Sequence, residues 1–158
     1  MGEPLADGVI ERIGQAADLY HRLVILVAPA GAGKTATLQD VHERIAAPLV
    51  NVNLELSRRL LDLTERRRAL QLSGLLEEIL GSSATDVVLL DNMEVLFDVS
   101  LKQDPLRLLQ GLSRNKTVVA AWSGTIDGGH LVYATPDHPE YRRYPVRDVL
   151  VVTPDVSA

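Results

Sequence analysis

The chain has no cysteine among its 158 residues, which excludes disulfides and thiolate metal sites and is compatible with a reducing cytosol. Aromatic residues are scarce at 4% while hydrophobic residues reach 46%, so the core must be built from Leu, Val, Ile and Ala. A core of that kind suits a parallel sheet covered by helices. No apolar run approaches the ~20 residues that span a bilayer. The opening MGEPLADG has neither the basic nor the apolar region of a signal peptide, and Ala6 stands where a myristoylation signal wants Ser or Thr. The expectation is a cytoplasmic protein with no membrane segment. An excess of positive charge is missing too: 16 Lys and Arg against 21 Asp and Glu give a formal charge of −5. The overall field therefore does not favour nucleic acid, and direct DNA binding by the chain alone is not expected. His42, His130 and His138 are scattered, without metal-ligand spacing.

What is present is concentrated in Leu23–Leu38, LVILVAPAGAGKTATL. An aliphatic run, Leu23–Val27, reads as a buried strand. It breaks into small residues, Ala28-Pro29-Ala30-Gly31-Ala32-Gly33, and Lys34-Thr35 then open a helix. This is the strand–loop–helix context that a phosphate-binding P-loop requires. Small residues let successive N–H groups turn inward as an anion nest, and the helix N-terminus adds its positive dipole end. Ala30, Gly31, Ala32, Gly33, Lys34 and Thr35 are the candidate phosphate ligands, with the Thr35 hydroxyl as a ligand to Mg²⁺. The pattern G-x-x-x-x-G-K-[ST] expects glycine where Ala28 stands. Alanine there matters only if the backbone needs positive φ or very close approach to phosphate.

A second informative stretch is Val87-Val88-Leu89-Leu90-Asp91, four aliphatic residues running into an acid. At the carboxyl edge of a parallel sheet this has the form of a Walker B element, with Asp91 supporting Mg²⁺ alongside Thr35. The plainer alternative is a strand ending in a helix N-cap. Many ATPases follow this Asp with a Glu that orients the attacking water. Here that place holds Asn92, and Glu94 is the nearest carboxylate, either positioning water or complementing a helix dipole. Thr117–Trp122 is another buried strand, which delivers Ser123 to the same edge, as a phosphate or water sensor or as an ordinary strand-end serine.

The remaining pattern sets the architecture. A helix is expected over Asp7–His21, with Ile10, Ile13, Ala17 and Leu19 or Tyr20 on its apolar side. Another runs from Lys34 to Ala46, and a second strand over Leu49–Leu54. From Leu56 a helical stripe includes Leu60, Leu63, Leu70, Leu75, Leu76, Ile79 and Leu80, as one helix or as two divided at Gly74. Arg66-Arg67-Arg68 lie within it, as a solvated face or a phosphate- or DNA-contacting cluster. Pro105 suits the first turn of a further helix. Asp127-Gly128-Gly129 signals a hairpin, and the prolines of TPDHPEYRRYP argue against regular structure there. Val146–Val152 is a last strand. Residues 1–152 therefore read as one domain, and 153–158 as a loose tail. The fold class is α/β, a doubly wound, mainly parallel five-stranded sheet with helices on both faces. The Asp strand comes third, which points to the ATPase branch of P-loop folds, including the AAA+ type. No helical lid follows to supply an arginine. Arg142 and Arg143 are the best candidates for an arginine finger offered to a neighbouring copy, with Arg114 weaker. The alternative is that the pair stacks on Tyr141 and Tyr144.

Together with the P-loop, the segments VVLLDNMEVLFDVSLKQDPLRLLQGLSRNKTVVAAWSG and HPEYRRYP make the chain resemble the BrxF family. These are the small P-loop proteins of type 3 BREX bacteriophage-exclusion systems, and the resemblance runs over nearly the whole length. It implies a bacterial cytoplasmic protein that binds ATP with Mg²⁺ and acts with other BREX proteins, such as a methyltransferase, a helicase and a phosphatase-like partner. Three activities fit the residues. One is an ATPase cycling in an assembly of its own copies and these partners. The second is a nucleotide-binding switch or scaffold, because Asn92 replaces the usual glutamate. The third is a small-molecule kinase.

Overall fold

The computed structural model describes residues 3–29, 31–81, 85–146 and 149–154. Five parallel strands form the main sheet: β1 (Leu23–Ala28), β2 (Leu49–Asn51), β3 (Val87–Asp91), β4 (Thr117–Ser123) and β8 (Leu150–Val152), in the order β2-β3-β4-β1-β8. The expected five-stranded parallel α/β sheet is present. Every residue of β1 is buried, because each face of the sheet has its own helical layer. Leu23, Ile25 and Val27 point into one cluster with Leu56, Leu72, Leu76, Phe97 and Trp122. Val24 and Leu26 point into the other, with Ala6, Val9, Leu38 and Val41. Each such side chain contributes roughly 1.5–3 kcal/mol on burial, so a central strand needs no polar alternation.

Helices α1 (Glu3–Ala16) and α2 (Lys34–Ile45) cover one face. The first ends earlier than the periodicity suggested. Its core side is Ala6, Val9 and Ala16, while Leu19 and Tyr20 are 40% and 70% exposed. The chain turns after Ala16, where the Leu19 N–H donates to the Ala16 carbonyl at 2.9 Å.

The other face carries α3 (Val52–Leu60), α4 (Glu65–Gly81) and α5 (Pro105–Leu112). The expected second strand to Leu54 is corrected here, since it stops at Asn51. The Asn51 side chain accepts from the Leu54 N–H at 3.0 Å as an N-cap, and asparagine is among the best residues for that position. Val52, Leu56 and Leu60 then bury one helical stripe. The break between α3 and α4 falls before Glu65, and Gly74 lies inside α4. Leu70 is 74% exposed and lies outside the expected apolar stripe, while Leu72, Leu76, Ile79 and Leu80 are buried. Arg66 and Arg67 are exposed, and Arg68 donates to the Leu63 carbonyl at 3.0 Å. Pro105 occupies the first turn of α5, behind the Asp104 cap.

A second, antiparallel sheet joins β5 (Thr125–Asp127), β6 (His130–Tyr133) and β7 (Arg142–Pro145). The hairpin signal is met: Gly128 and Gly129 take φ of 55° and 77° in the two-residue turn, as a type I′ connection requires. The proline-rich segment is more regular than expected. Pro136 and Pro139 fall in the turn between β6 and β7, and Pro145 ends β7 on the sheet edge, where a missing N–H breaks no ladder. Hydrogen bonds help to fasten this small sheet to the rest. The Trp122 Nε1–H donates to the Val132 carbonyl at 3.1 Å, and the Tyr144 hydroxyl donates to Asp104 Oδ1 at 2.8 Å. Of the expected tail, Thr153 and Pro154 are described and residues 155–158 lie outside the described residues.

Candidate phosphate-binding site

The carboxyl ends of β1, β3 and β4 open on a cleft of about 620 Å³. Its lining brings together Gly31, Gly33, Lys34, Thr35, Asp91, Glu94 and Ser123. Gly31 and Gly33 take φ of 81° and 90°, a backbone that glycine adopts without a Cβ penalty. Ala28 does not: it is the buried end of β1, with no positive φ, so the missing glycine imposes no backbone strain. Ala30 lies outside the described residues, and Ala32 is exposed, its N–H donating to the Pro29 carbonyl at 3.2 Å.

The polar groups of the cleft are tied to one another. Lys34 is buried and its Nζ donates to the carbonyls of Ala28 and Pro29, both at 3.0 Å. Burial holds its pKa below the ordinary lysine value, while the nearby charges of Glu94 and Asp91 act against that shift. The Thr35 hydroxyl donates to Asp91 Oδ2 at 2.6 Å. Asp91 is also buried, and its second oxygen accepts from the Asn92 N–H at 2.9 Å. Two hard oxygen donors thus sit side by side next to the glycine loop, the donor chemistry that Mg²⁺ prefers. Among the described residues no group of three or more His, Asp or Glu is arranged to hold a metal ion. One or two protein oxygens are enough when phosphates and waters complete the shell.

Asn92 adopts φ 51°, which asparagine tolerates better than most residues. Its carbonyl accepts the Asn53 N–H at 2.8 Å, linking the start of α3 to the end of β3. The chain then enters a 3₁₀ turn, Glu94–Phe97, and Glu94 returns to the cleft. Glu94 Oε2 accepts from the Ser123 hydroxyl at 2.8 Å. The acid and the candidate sensor are therefore one hydrogen-bonded unit.

The arginines lie elsewhere. Arg142 donates to the Gln103 carbonyl at 3.3 Å and the Tyr141 carbonyl at 3.4 Å. Arg143 is exposed on β7, its guanidinium 3.1 Å from His130 Nδ1. Neither lines the cleft, and neither sits on a loop, as the prolines suggested. Arg114 packs over the Tyr20 ring, 5.2 Å from its centroid.

Four lining residues escaped the sequence reading: Tyr133, Ala134, His138 and Glu140. The small sheet brings them to the cleft. Period-2 alternation places Tyr133 on the same face of β6 as the buried Leu131, but nothing in the sequence says that this face reaches the cleft. A second cleft, also about 620 Å³, flanks the start of the glycine loop and is lined by Ala28, Pro29, Gly124, Thr125, Ile126, Thr153 and Pro154, none of them charged. No known family, curated protein or solved structure matches the chain. Site and fold are therefore defined by their own geometry: an α/β protein whose parallel sheet brings Lys34, Thr35, Asp91, Glu94 and Ser123 to one cleft at its carboxyl edge.

Proposed function

We propose that this protein is a P-loop ATPase that binds ATP with Mg²⁺ in the cleft at the ends of β1, β3 and β4. The observation that carries the reading is the convergence there of Lys34, the Thr35–Asp91 pair and the Ser123–Glu94 pair. Strand β4 lies between β1 and β3 in the sheet, so Ser123 falls between the loop and the acids. On binding, Lys34 exchanges the Ala28 and Pro29 carbonyls for phosphate oxygens. Thr35 and Asp91 are the residues that would hold Mg²⁺, which neutralises charge on the phosphates. Glu94 orients a water, whose oxygen bonds to the terminal phosphorus as the bridging P–O bond breaks. ADP leaves, and the water's proton passes to Glu94. Gly31 and Gly33 present backbone N–H groups to the phosphates. We place the protein with the BrxF family, as a cytoplasmic component of a type 3 BREX phage-defence assembly, acting with copies of itself and other BREX proteins. The quoted segments support that assignment. Among the described residues no helix is long and apolar enough to cross a membrane.

A second reading has its own support. Asn92 occupies the usual place of the catalytic glutamate, and Glu94 is engaged by Ser123. A protein so built binds ATP and holds it, as a switch or scaffold. Binding and turnover measured on the same samples separate the two. As an ATPase, the parent turns over, Asp91→Asn loses Mg²⁺-dependent binding, and Glu94→Gln keeps binding but loses turnover by roughly 100-fold or more, as expected of a group acting in the transition state. Binding without turnover in the parent selects the switch. Running the assay at two protein concentrations tests Arg143, which can act only on another copy. A specific activity that does not change with concentration removes it from catalysis.

A further inference from the structure

Tyr133 ends β6 and is held by rings. Its ring stacks on Phe97, with centroids 3.6 Å apart and planes 13° from parallel. Trp122 meets both edge-on, at 5.1 and 6.3 Å. Phe97 and Trp122 are fully buried, so the phenol is fixed from behind, while Tyr133 itself lines the cleft with Lys34, Thr35, Glu94 and Ser123. Half of the six aromatic residues in the chain are spent on this stack, yet nothing in the packing calls for a hydroxyl. Among the described residues that hydroxyl has no hydrogen-bond partner, and phenylalanine would fill the same space.

The surroundings say what the hydroxyl can do. Burial, with the charges of Glu140 and Glu94 adding to it, pushes its pKa up to about 12. It is therefore a neutral group that keeps its proton and is suited to donate to an anion. The cleft contains three carboxylates, Asp91, Glu94 and Glu140, against one lysine, so a phosphate there gains from every further hydrogen-bond donor that brings no negative charge. Glu94, the group proposed to position water, marks the terminal-phosphate end, and Tyr133 feels its charge. Ala134, the next residue, takes φ 65°, a conformation costly for alanine and typical of strain kept at functional sites. Behind it the turn braces itself. The His138 N–H donates to the Thr135 carbonyl at 2.8 Å, and the Glu140 N–H to His138 Nδ1 at 3.0 Å.

We propose that Tyr133 is a phosphate-binding residue whose hydroxyl donates to the terminal phosphoryl group of the bound nucleoside triphosphate, from the wall that the small sheet adds to the cleft. This rests on the nucleotide reading above and adds a contact that distinguishes triphosphate from diphosphate. The test is calorimetric titration of parent and Tyr133→Phe with Mg·ADP and with a non-hydrolysable Mg·ATP analogue. Tyr20→Phe, at a 70% exposed phenol, serves as the control, and thermal melts check folding. The expected result is a loss of roughly 10- to 100-fold in affinity for the analogue, the range for a hydrogen bond to a charged group, with Mg·ADP affinity retained in Tyr133→Phe and both affinities retained in Tyr20→Phe. Equal affinities in parent and Tyr133→Phe, or equal losses for both nucleotides, overturn the role of Tyr133 and leave the nucleotide site standing. A well-folded parent that binds neither nucleotide overturns both.

Discussion

Gly124 sits where the parallel sheet hands over to the small one, just after Ser123. A Cβ on it would lie 2.0 Å from the Val132 carbonyl oxygen and 2.9 Å from Trp122 Nε1, the two atoms whose hydrogen bond fastens the sheets. The carbonyl is backbone and cannot step aside without moving β6, and with it Tyr133. Gly124→Ala is therefore expected to cost about 3 kcal/mol. Gly74, exposed in the middle of α4 with nothing within 4 Å of a Cβ, is the contrast, where alanine should stabilise by about 0.5–1 kcal/mol. Urea unfolding midpoints of the two variants should move in opposite directions. A Gly124→Ala midpoint equal to the parent's would contradict the close approach. No local signal marks Gly124 in the sequence, because its constraint comes from a carbonyl eight residues further on.

At the scale of elements, the strand–loop–helix around Lys34 was legible because its parts are contiguous and each has a local cause. Five aliphatic residues, a run of small ones and a lysine at a helix start leave few alternatives. The ends of other elements depended on competition. At Asn51, capping chemistry won over a β-like run of Leu and Val, and β7 formed in spite of nearby prolines because only an edge was required. The loop also carries a pH dependence. In the free protein, burial lowers the Lys34 pKa from the ordinary 10.5. For folding this cost is present while Lys34 is charged and is relieved as pH rises towards that value. For phosphate binding the sign reverses, since bound anions favour the ammonium. Affinity for Mg·ATP should be constant at neutral pH and fall as pH passes the depressed value, beginning below 10.5, with proton uptake on binding. Titrations in buffers of different ionisation enthalpy measure that uptake. Affinity unchanged up to pH 10.5 with no proton uptake would count against Lys34 as the phosphate cation.

For the whole molecule, five parallel strands between two helical layers put the ends of β1, β3 and β4 next to one another, and residues 34, 91, 94 and 123 meet there. Their identities could be read in the sequence, because each follows a recognisable strand. Their pairing could not, since Thr35 with Asp91 and Ser123 with Glu94 depend on strand order. The wall built by Tyr133, His138 and Glu140 was hidden more deeply, behind a fold-back of the chain after the sheet's fourth strand. Nucleotide binding at this cleft is measured most directly by calorimetric titration of Mg·ATP into the parent and into Lys34→Ala, with melting curves for both. Among the described residues the Lys34 Nζ bonds only to the carbonyls of Ala28 and Pro29, so its removal should spare the fold. Saturable one-site binding by the parent is expected, with a loss of about 100-fold or more in the variant, because a charged, desolvated contact to phosphate would be removed. Equal affinity in a well-folded Lys34→Ala protein would contradict phosphate binding by Lys34.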